Sequence, residues 1–279
     1  MPIDSKRSRA VFQKLEADLV KLSSKTPAQN VHRFRTGTRR LQILLGEFSP
    51  QLDRNQKKLL KMVGRIRRRA GKLRDLDVQL AALRSLKVAQ EPRRKTQLVN
   101  HLIEMRARRE KKLRKSVDAE TVREVRKRLQ QVRKNFKPDA NRDALVVAKN
   151  LLKRMDAAAP VTEEWLHRYR VLTKRARYAA EFAGNSSEAH RFIAQLKRVQ
   201  DALGDWHDWL TLTQSASENL GDLRESALVA ELQNVTGAKF RHAISLLAQV
   251  REGLSAKLSP PPQAPAKAKG QAVAAASAA

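Results

Sequence analysis

One ten-residue pattern occurs twice, and it constrains the fold more than any other feature of the chain. The first copy is Val31-His32-Arg33-Phe34-Arg35-Thr36-Gly37-Thr38-Arg39-Arg40; the second is Leu166-His167-Arg168-Tyr169-Arg170-Val171-Leu172-Thr173-Lys174-Arg175. Both read His-x-x-Arg-x-x-x-(Arg/Lys)-Arg. At about 100° per residue, a helix brings His32, Arg35 and Arg39 within roughly 60° of one another, and His167, Arg170 and Lys174 likewise. The opposite side of the first copy carries Phe34, Leu41, Leu45 and Phe48; that of the second carries Trp165, Tyr169, Ala176 and Ala180. Each copy is therefore an amphipathic helix with an apolar face for a core and a cationic row elsewhere.

The rest of the chain reads as more helices in the same order. Asp4 or Ser5 caps a helix to about Leu22, and Thr26-Pro27 opens the first motif helix, which ends near Phe48. A long helix spans about Leu52 to Leu86, an arginine-rich one runs from Pro92 to about Lys115, and Asp118 caps a continuation to about Asn135. Lys137-Pro138-Asp139 is the best internal boundary. The order then restarts with a helix from about Ala140 to Ala157, the second motif helix to about Gly184, a long helix from Ser186 to about Asn219, and one or two helices from the Gly221-Asp222 turn to about Leu258. The motifs are 135 positions apart (167 minus 32), and a second pair of landmarks, Gly71-Lys72-Leu73-Arg74-Asp75 and Gly204-Asp205-Trp206-His207-Asp208, is 133 apart (204 minus 71). Two landmarks at nearly one spacing predict an all-α fold made as a tandem repeat of two four-helix units, residues 1–136 and 137–258. Leu, Ala, Arg, Lys, Glu and Gln dominate the composition, which favours helix. Residues 259–279, rich in Pro, Ala, Lys and Gln, read as a disordered tail.

The charge then sets the class of partner. There are 58 Lys and Arg against 28 Asp and Glu, a formal +30. Such an excess repels itself in a compact chain and calls for a polyanion: nucleic acid, an anionic membrane surface or a polymeric phosphate. The absence of cysteine excludes disulfides and thiolate metal sites. No secretory leader and no membrane-spanning run is visible, so a cytoplasmic protein without membrane insertion is expected. The first long helix carries its own row, Arg54, Lys61, Arg65, Arg68 and Lys72, within about 60°. The helix after Pro92 adds Arg94, His101, Arg108, Arg109 and Lys112 near one face. Acids do not interleave at i+4 to neutralise these rows. In the second long helix the positions matching Arg68 and Lys72 are Asp201 and Asp205, while Arg198 keeps its charge. Asp75 and Asp208 close the two rows and are expected to orient arginines through charge-assisted hydrogen bonds.

His32 and His167, in register and each followed by Arg at i+3, read as anion contacts in preference to core histidines. His207-Asp208 has the look of a metal dyad, but no second histidine-rich element completes it, so no metal or cofactor is expected and a metal-dependent phosphohydrolase ranks last. Nucleic-acid binding is the main rival. Single-strand binders interleave aromatics with basic residues, whereas only 4% of this chain is aromatic and Trp165, Tyr169, Trp206 and Trp209 fall on apolar faces.

At these same residues the chain resembles the CHAD family, the conserved histidine α-helical domains, over about residues 4–258. His32, Arg35, Arg39 and Arg40 match its H-x-x-R-x-x-x-R-R motif, and Arg74-Asp75-Leu76-Asp77-Val78 its RDxDV segment. His167, Arg170, Lys174, Arg175, Arg177 and Tyr178 match H-x-x-R-x-x-x-K-R-x-R-Y, and Gln200-Asp201-Ala202-Leu203-Gly204 followed by Asp208 matches QDxLG-x-x-x-D. The resemblance implies two four-helix bundles related by a pseudo-twofold around a basic central channel. It also implies binding of inorganic polyphosphate without catalysis, and association with polyphosphate granules. In that setting Arg35, Arg39, Arg40, Arg170, Arg175 and Arg177 would grip phosphate oxygens. Lys174 would act as a point charge, and His32, His167 and Tyr178 would donate hydrogen bonds. Lys61, Arg65, Arg68, Lys72, Arg108, Arg109, Lys112 and Arg198 complete the expected binding set.

Overall fold

The computed structural model describes residues 3–88, 90–155, 160–220 and 226–255. These form α1 (Ser5–Ser24), α2 (Ala28–Phe48), α3 (Arg54–Ser85), α4 (Pro92–Arg114), α5 (Ala119–Asn135), α6 (Ala144–Lys153), α7 (Glu163–Ala180), α8 (Ser187–Asn219) and α9 (Ala227–Ser255). No strand occurs among the described residues.

Most helices begin where the sequence supplies an acceptor for orphaned N–H groups. Asp4, Asp118, Asp143, Thr162 and Ser186 each accept from the first turn of the helix that follows. Asp53 and Gln56 form a reciprocal capping box at the start of α3. Each cap contributes about 1 kcal/mol. Four ends differ from the sequence expectation. Pro27 itself occupies the cap position of α2, and the Thr26 hydroxyl donates to Glu110 of α4 instead. α6 starts at Ala144 because Asp139 first folds a turn, accepting the Asn141 N–H at 3.0 Å, and Asp143 then caps. α7 stops at Ala180: Phe182 and Ala183 close tighter turns onto the Ala179 and Ala180 carbonyls, and Gly184 takes φ +75°, which glycine adopts without a side-chain clash. α6 ends at Lys153, short of the expected Ala157, where the Met155 N–H donates to the Leu152 carbonyl at 3.2 Å in a tighter turn. The expected Gly221-Asp222 turn, the helix end near Leu258 and the 259–279 tail lie outside the described residues.

Five helices precede Lys137 and four follow it among the described residues, since α5 is a separate element that packs on α1 and α3. The largest core cluster draws on α1, α2, α3, the end of α4, α5, α6, α7 and α8, and so takes residues from both sides of Lys137-Pro138-Asp139. Phe48 of α2 meets Phe182 edge to face at 5.6 Å, and the Asp139 N–H donates to the Phe48 carbonyl at 2.9 Å. A second cluster joins Leu80 and Leu83 of α3 and Leu98 of α4 to Leu212 of α8 and Leu228 of α9. A third holds Trp165, Tyr169, Leu203, Trp206 and Leu247. Trp165 stacks on Tyr169 at 5.0 Å, and Trp206 packs against Phe240 at 5.8 Å. Each fully buried large side chain contributes about 1.5–3 kcal/mol. Through these clusters α2 rests on α7 and α3 on α8.

Candidate anion-binding site

The contact between α2 and α7 is braced by a reciprocal pair of ion bridges. Arg40 of α2 donates to Glu181, just past the end of α7, at 2.7 Å, and Arg175 of α7 donates to Glu47 of α2 at 2.5 Å. Arg177 also donates to Glu181 at 2.7 Å and to Gln200 at 2.8 Å. The Tyr178 ring lies between two guanidiniums, 4.6 Å from that of Arg177 and 5.6 Å from that of Arg40. Arg40, Arg175 and Arg177, expected to be free for phosphate, therefore already hold carboxylates. Their conspicuous charge in the sequence is used for bracing.

Beside this brace the remaining motif cations converge. A cavity of about 450 Å³ between α2, α3 and α7 is lined by Arg39, Arg67, Arg170, Lys174 and Arg175. Arg35 stands next to it. Its guanidinium lies over Gly71 of α3, where an added Cβ would come within 3.8 Å of Nη2, and its Nη1 is 3.3 Å from the Asp75 carboxylate. Arg170 is placed in the matching way, 3.8 Å from Asp208. Asp75 thus hydrogen-bonds its arginine as expected, whereas Asp208 stands beyond hydrogen-bond distance of Arg170 and acts on it through charge alone. Arg39, Arg67 and Lys174 have no acid or hydrogen-bond partner among the described residues, and the Nε atoms of Arg67 and Arg170 are buried and unsatisfied there.

Crowded like charges leave a mark on proton affinity. Burial, followed by Arg170 and Arg39, depresses the Lys174 ammonium from 10.5 to about 7, with Asp208 offsetting only part of it. Burial also lowers Arg35, Arg67 and Arg170, and the charges of Arg35 and Arg39 press on both Arg67 and Arg170. His32 is lowered by burial and then by Arg74 and Arg35; His167 is lowered by burial and then by His207, whose ring centroid is 5.5 Å away. Without an anion, both histidines are biased toward the neutral form.

Two further cavities adjoin the first. One of about 760 Å³ against α7, α8 and α9 shares Arg170 and Lys174 and adds Arg198, Asp201, Asp205, Asp208, Lys239 and His242. The other, about 970 Å³, lies among α1, α2, α7 and α8, shares Tyr178, and includes His32, Arg33, Lys14 and Lys21. Of the expected residues, then, Arg35, Arg39, Arg170 and Lys174 meet at the centre, with Arg198 one cavity away and His32 on the α1 side. His167 is exposed on α7 beside His207. Lys61, Arg65, Arg68 and Lys72 are exposed on α3 and line none of the three cavities, and neither do Arg108, Arg109 and Lys112 of α4. Arg108 pairs instead with Glu104 at 3.6 Å, and the Lys112 carbonyl accepts from Arg69 at 3.3 Å.

Sequence reasoning missed Arg67 and Arg74. A signal was available: Gly64 and Gly71, a heptad apart in an otherwise strong helix former, mark the face of α3 that other groups approach closely, and Arg67 and Arg74 flank it at the same spacing. Lys239 and His242 come from α9, which carries no copy of the motif, and nothing in their local sequence marked them. Among the described residues no group of three or more His, Cys, Asp or Glu is placed to hold a metal ion, and no helix is long and apolar enough to cross a membrane.

Comparison with known proteins gives a consistent picture of the fold. The family model of the CHAD domain matches residues 7–217. Among solved structures, PptA from Streptomyces chartreusis superposes with a TM-score of 0.70 at 16% identity, covering 90% of this chain and 100% of that one. The CHAD domain from the plant Ricinus communis superposes with a TM-score of 0.64 at 20% identity, covering 92% and 94% respectively. No curated protein matches.

Proposed function

The chain belongs to the CHAD domain family, and on that premise we propose that it binds inorganic polyphosphate in the cationic space between α2, α3 and α7, without turning it over. The observation that carries the reading is the cluster of Arg35, Arg39, Arg67, Arg170 and Lys174, contributed by three helices, in which cations outnumber acids: among the described residues Asp75 faces Arg35, Asp208 lies near Arg170, and Glu47, which lines the same cavity, is already engaged by Arg175. Burying like charges without counter-charges is costly, and a polyanion offsets that cost. Arginine forks suit phosphate oxygens bidentately, and Lys174 serves as a compact point charge. The sequence repeat supports a further part of the proposal: residues 1–136 and 137–258 are pseudo-twofold halves that each lend one motif helix to the channel. A role at polyphosphate granules in the cytoplasm follows from the family resemblance.

Nucleic acid is the weaker reading because the aromatics that could stack bases are otherwise engaged: Trp165, Tyr169 and Trp206 are buried in the core. Calorimetry with polyphosphate tests the proposal. Affinity should fall steeply with salt, by analogy with counterion release. Absence of binding at moderate salt, or undiminished binding by an Arg35→Ala, Arg39→Ala, Arg170→Ala triple variant, would overturn it. Displacement of polyphosphate by duplex DNA at matched phosphate concentration would favour the nucleic-acid reading. Phosphate release with magnesium or manganese present would indicate an enzyme; no turnover is expected.

A further inference from the structure

The longest cationic row in the sequence is not in the central cavity. Between Arg54 and Arg74 there are ten Lys and Arg and no acid. Arg67 turns toward the centre, whereas Lys61, Arg65, Arg68 and Lys72 stay exposed along the outside of α3. At about 1.5 Å per residue this row is roughly 16 Å long. None of the four has an ion-pair partner among the described residues. The nearest contacts on α3 are made by its neighbours: Lys58 pairs with Glu124 at 4.0 Å, Asp75 with Arg35 at 3.3 Å, and Arg69 donates to the Lys112 carbonyl. A merely solvated helix face interleaves acids at i+3 or i+4, where each like-charged pair costs a few tenths of a kcal/mol. This face carries that cost four residues running.

The row is also continuous with the site. Arg68 Nη1 and Gln42 Nε2 both come within 3.8 Å of where a Cβ on Gly64 would stand, and Gln42 lines the central cavity together with Arg67. We propose that the exposed α3 row Lys61, Arg65, Arg68 and Lys72 is a second polyphosphate-binding track, entered from the central cavity past Arg68 and engaged only by chains too long for that cavity. The inference rests on the proposed central binding of polyphosphate. Continuity decides in favour of one thread over a duplex: a cavity of about 450 Å³ admits a single unbranched strand that can run on along α3, whereas a duplex would have to touch the outer row alone. Two regions then share the work, a partly buried one that holds any phosphate oligomer and an exposed one that adds affinity with length and with strong salt dependence.

The test compares tripolyphosphate with long-chain polyphosphate on the full chain and on a variant carrying Lys61→Gln, Arg65→Gln, Arg68→Gln and Lys72→Gln. All four side chains are exposed, so the fold should be retained, which circular dichroism checks. The variant is expected to bind tripolyphosphate as the wild type does and to lose at least tenfold in long-chain affinity. Its salt slope for the long chain should fall by roughly 3, from four charges at about 0.7 each for a single strand. Unchanged long-chain affinity and slope would overturn the second track. So would a variant that loses duplex DNA binding alone, which would assign the row to nucleic acid. Failure of the wild type to bind either phosphate would instead overturn the central site, a different result from failure of the outer track.

Discussion

Lys174 offers the sharpest quantitative test of the central site. Its ammonium is held near 7 by burial and by Arg170 and Arg39, against an ordinary 10.5. At pH 8 only about a tenth of the molecules carry the charge before an anion arrives. A phosphate oxygen beside Nζ favours the ammonium, so binding should draw in about 0.9 proton per site at pH 8. Affinity should then fall as pH rises above 7, by roughly fifty-fold between pH 7 and 9, about 2.3 kcal/mol at 1.36 kcal/mol per tenfold change. Calorimetry of polyphosphate binding at pH 8, in buffers of different ionisation enthalpy, gives the proton number from the slope of observed heat. Lys174→Met should remove about 0.9 from that number. The free protein should show the mirror image. Between pH 7 and 10.5 the unfolded chain holds more protons at this site than the folded chain, so stability rises with pH across that window, and Lys174→Met should flatten the rise in thermal melts. A wild-type proton number near zero, or one that the substitution leaves alone, would refute the claim that Lys174 faces the bound phosphate.

Three other outcomes follow from the geometry. Glu47→Ala leaves Arg175 without its carboxylate in a partly buried setting and should cost about 2 kcal/mol in urea unfolding, whereas Glu164→Ala, which removes an exposed partner of Arg168, should change stability by less than about 0.5 kcal/mol. Gly71→Ala places a methyl at ordinary contact distance from Arg35 and should stabilise α3 by about 0.5–1 kcal/mol with binding intact; Gly71→Leu would displace the guanidinium and weaken tripolyphosphate binding by roughly tenfold, about the value of one charge-assisted contact. Arg67→Gln should weaken tripolyphosphate binding by a similar factor, and Lys61→Gln should leave it unchanged, as fluorescence or calorimetric titration would show.

Much of the fold was legible in the sequence because helix periodicity and caps are local. Phe34, Leu41, Leu45 and Phe48 fall on one side of α2 by spacing alone, and all are buried. The pairing of the two motif arginines with Asp75 and Asp208 was also readable, since the acid follows its glycine landmark at a fixed distance in both copies, although only Asp75 comes within hydrogen-bond distance of its arginine. What the spacing did not reveal was which of several cationic faces on one helix turns inward. On α3 a row of five exposed cations outweighs the pair Arg67 and Arg74 in any count of charge, yet the inward side is set by close approach to α2, which glycine marks and charge does not. Arg40 and Arg175 illustrate the other gap. Their partners, Glu181 and Glu47, are more than a hundred residues away in sequence, and no local pattern links a cation to an acid across that distance.

The crossed bridges Arg40–Glu181 and Arg175–Glu47 tie the α2 and α7 sides together, each side lending one arginine and one acid, much as an isologous contact between identical subunits would. Two identical subunits meeting this way must carry any substitution on both sides at once. Joined in one polypeptide, the two sides are free to diverge. At the 133-residue spacing of the glycine landmarks, Arg67 and Arg74 of α3 correspond to Gln200 and His207 of α8. Crossed bridges thus brace a lopsided setting, with guanidiniums on α3 and an amide and an imidazole at the matching places on α8, and a thread seated beside it would meet different chemistry on its two sides.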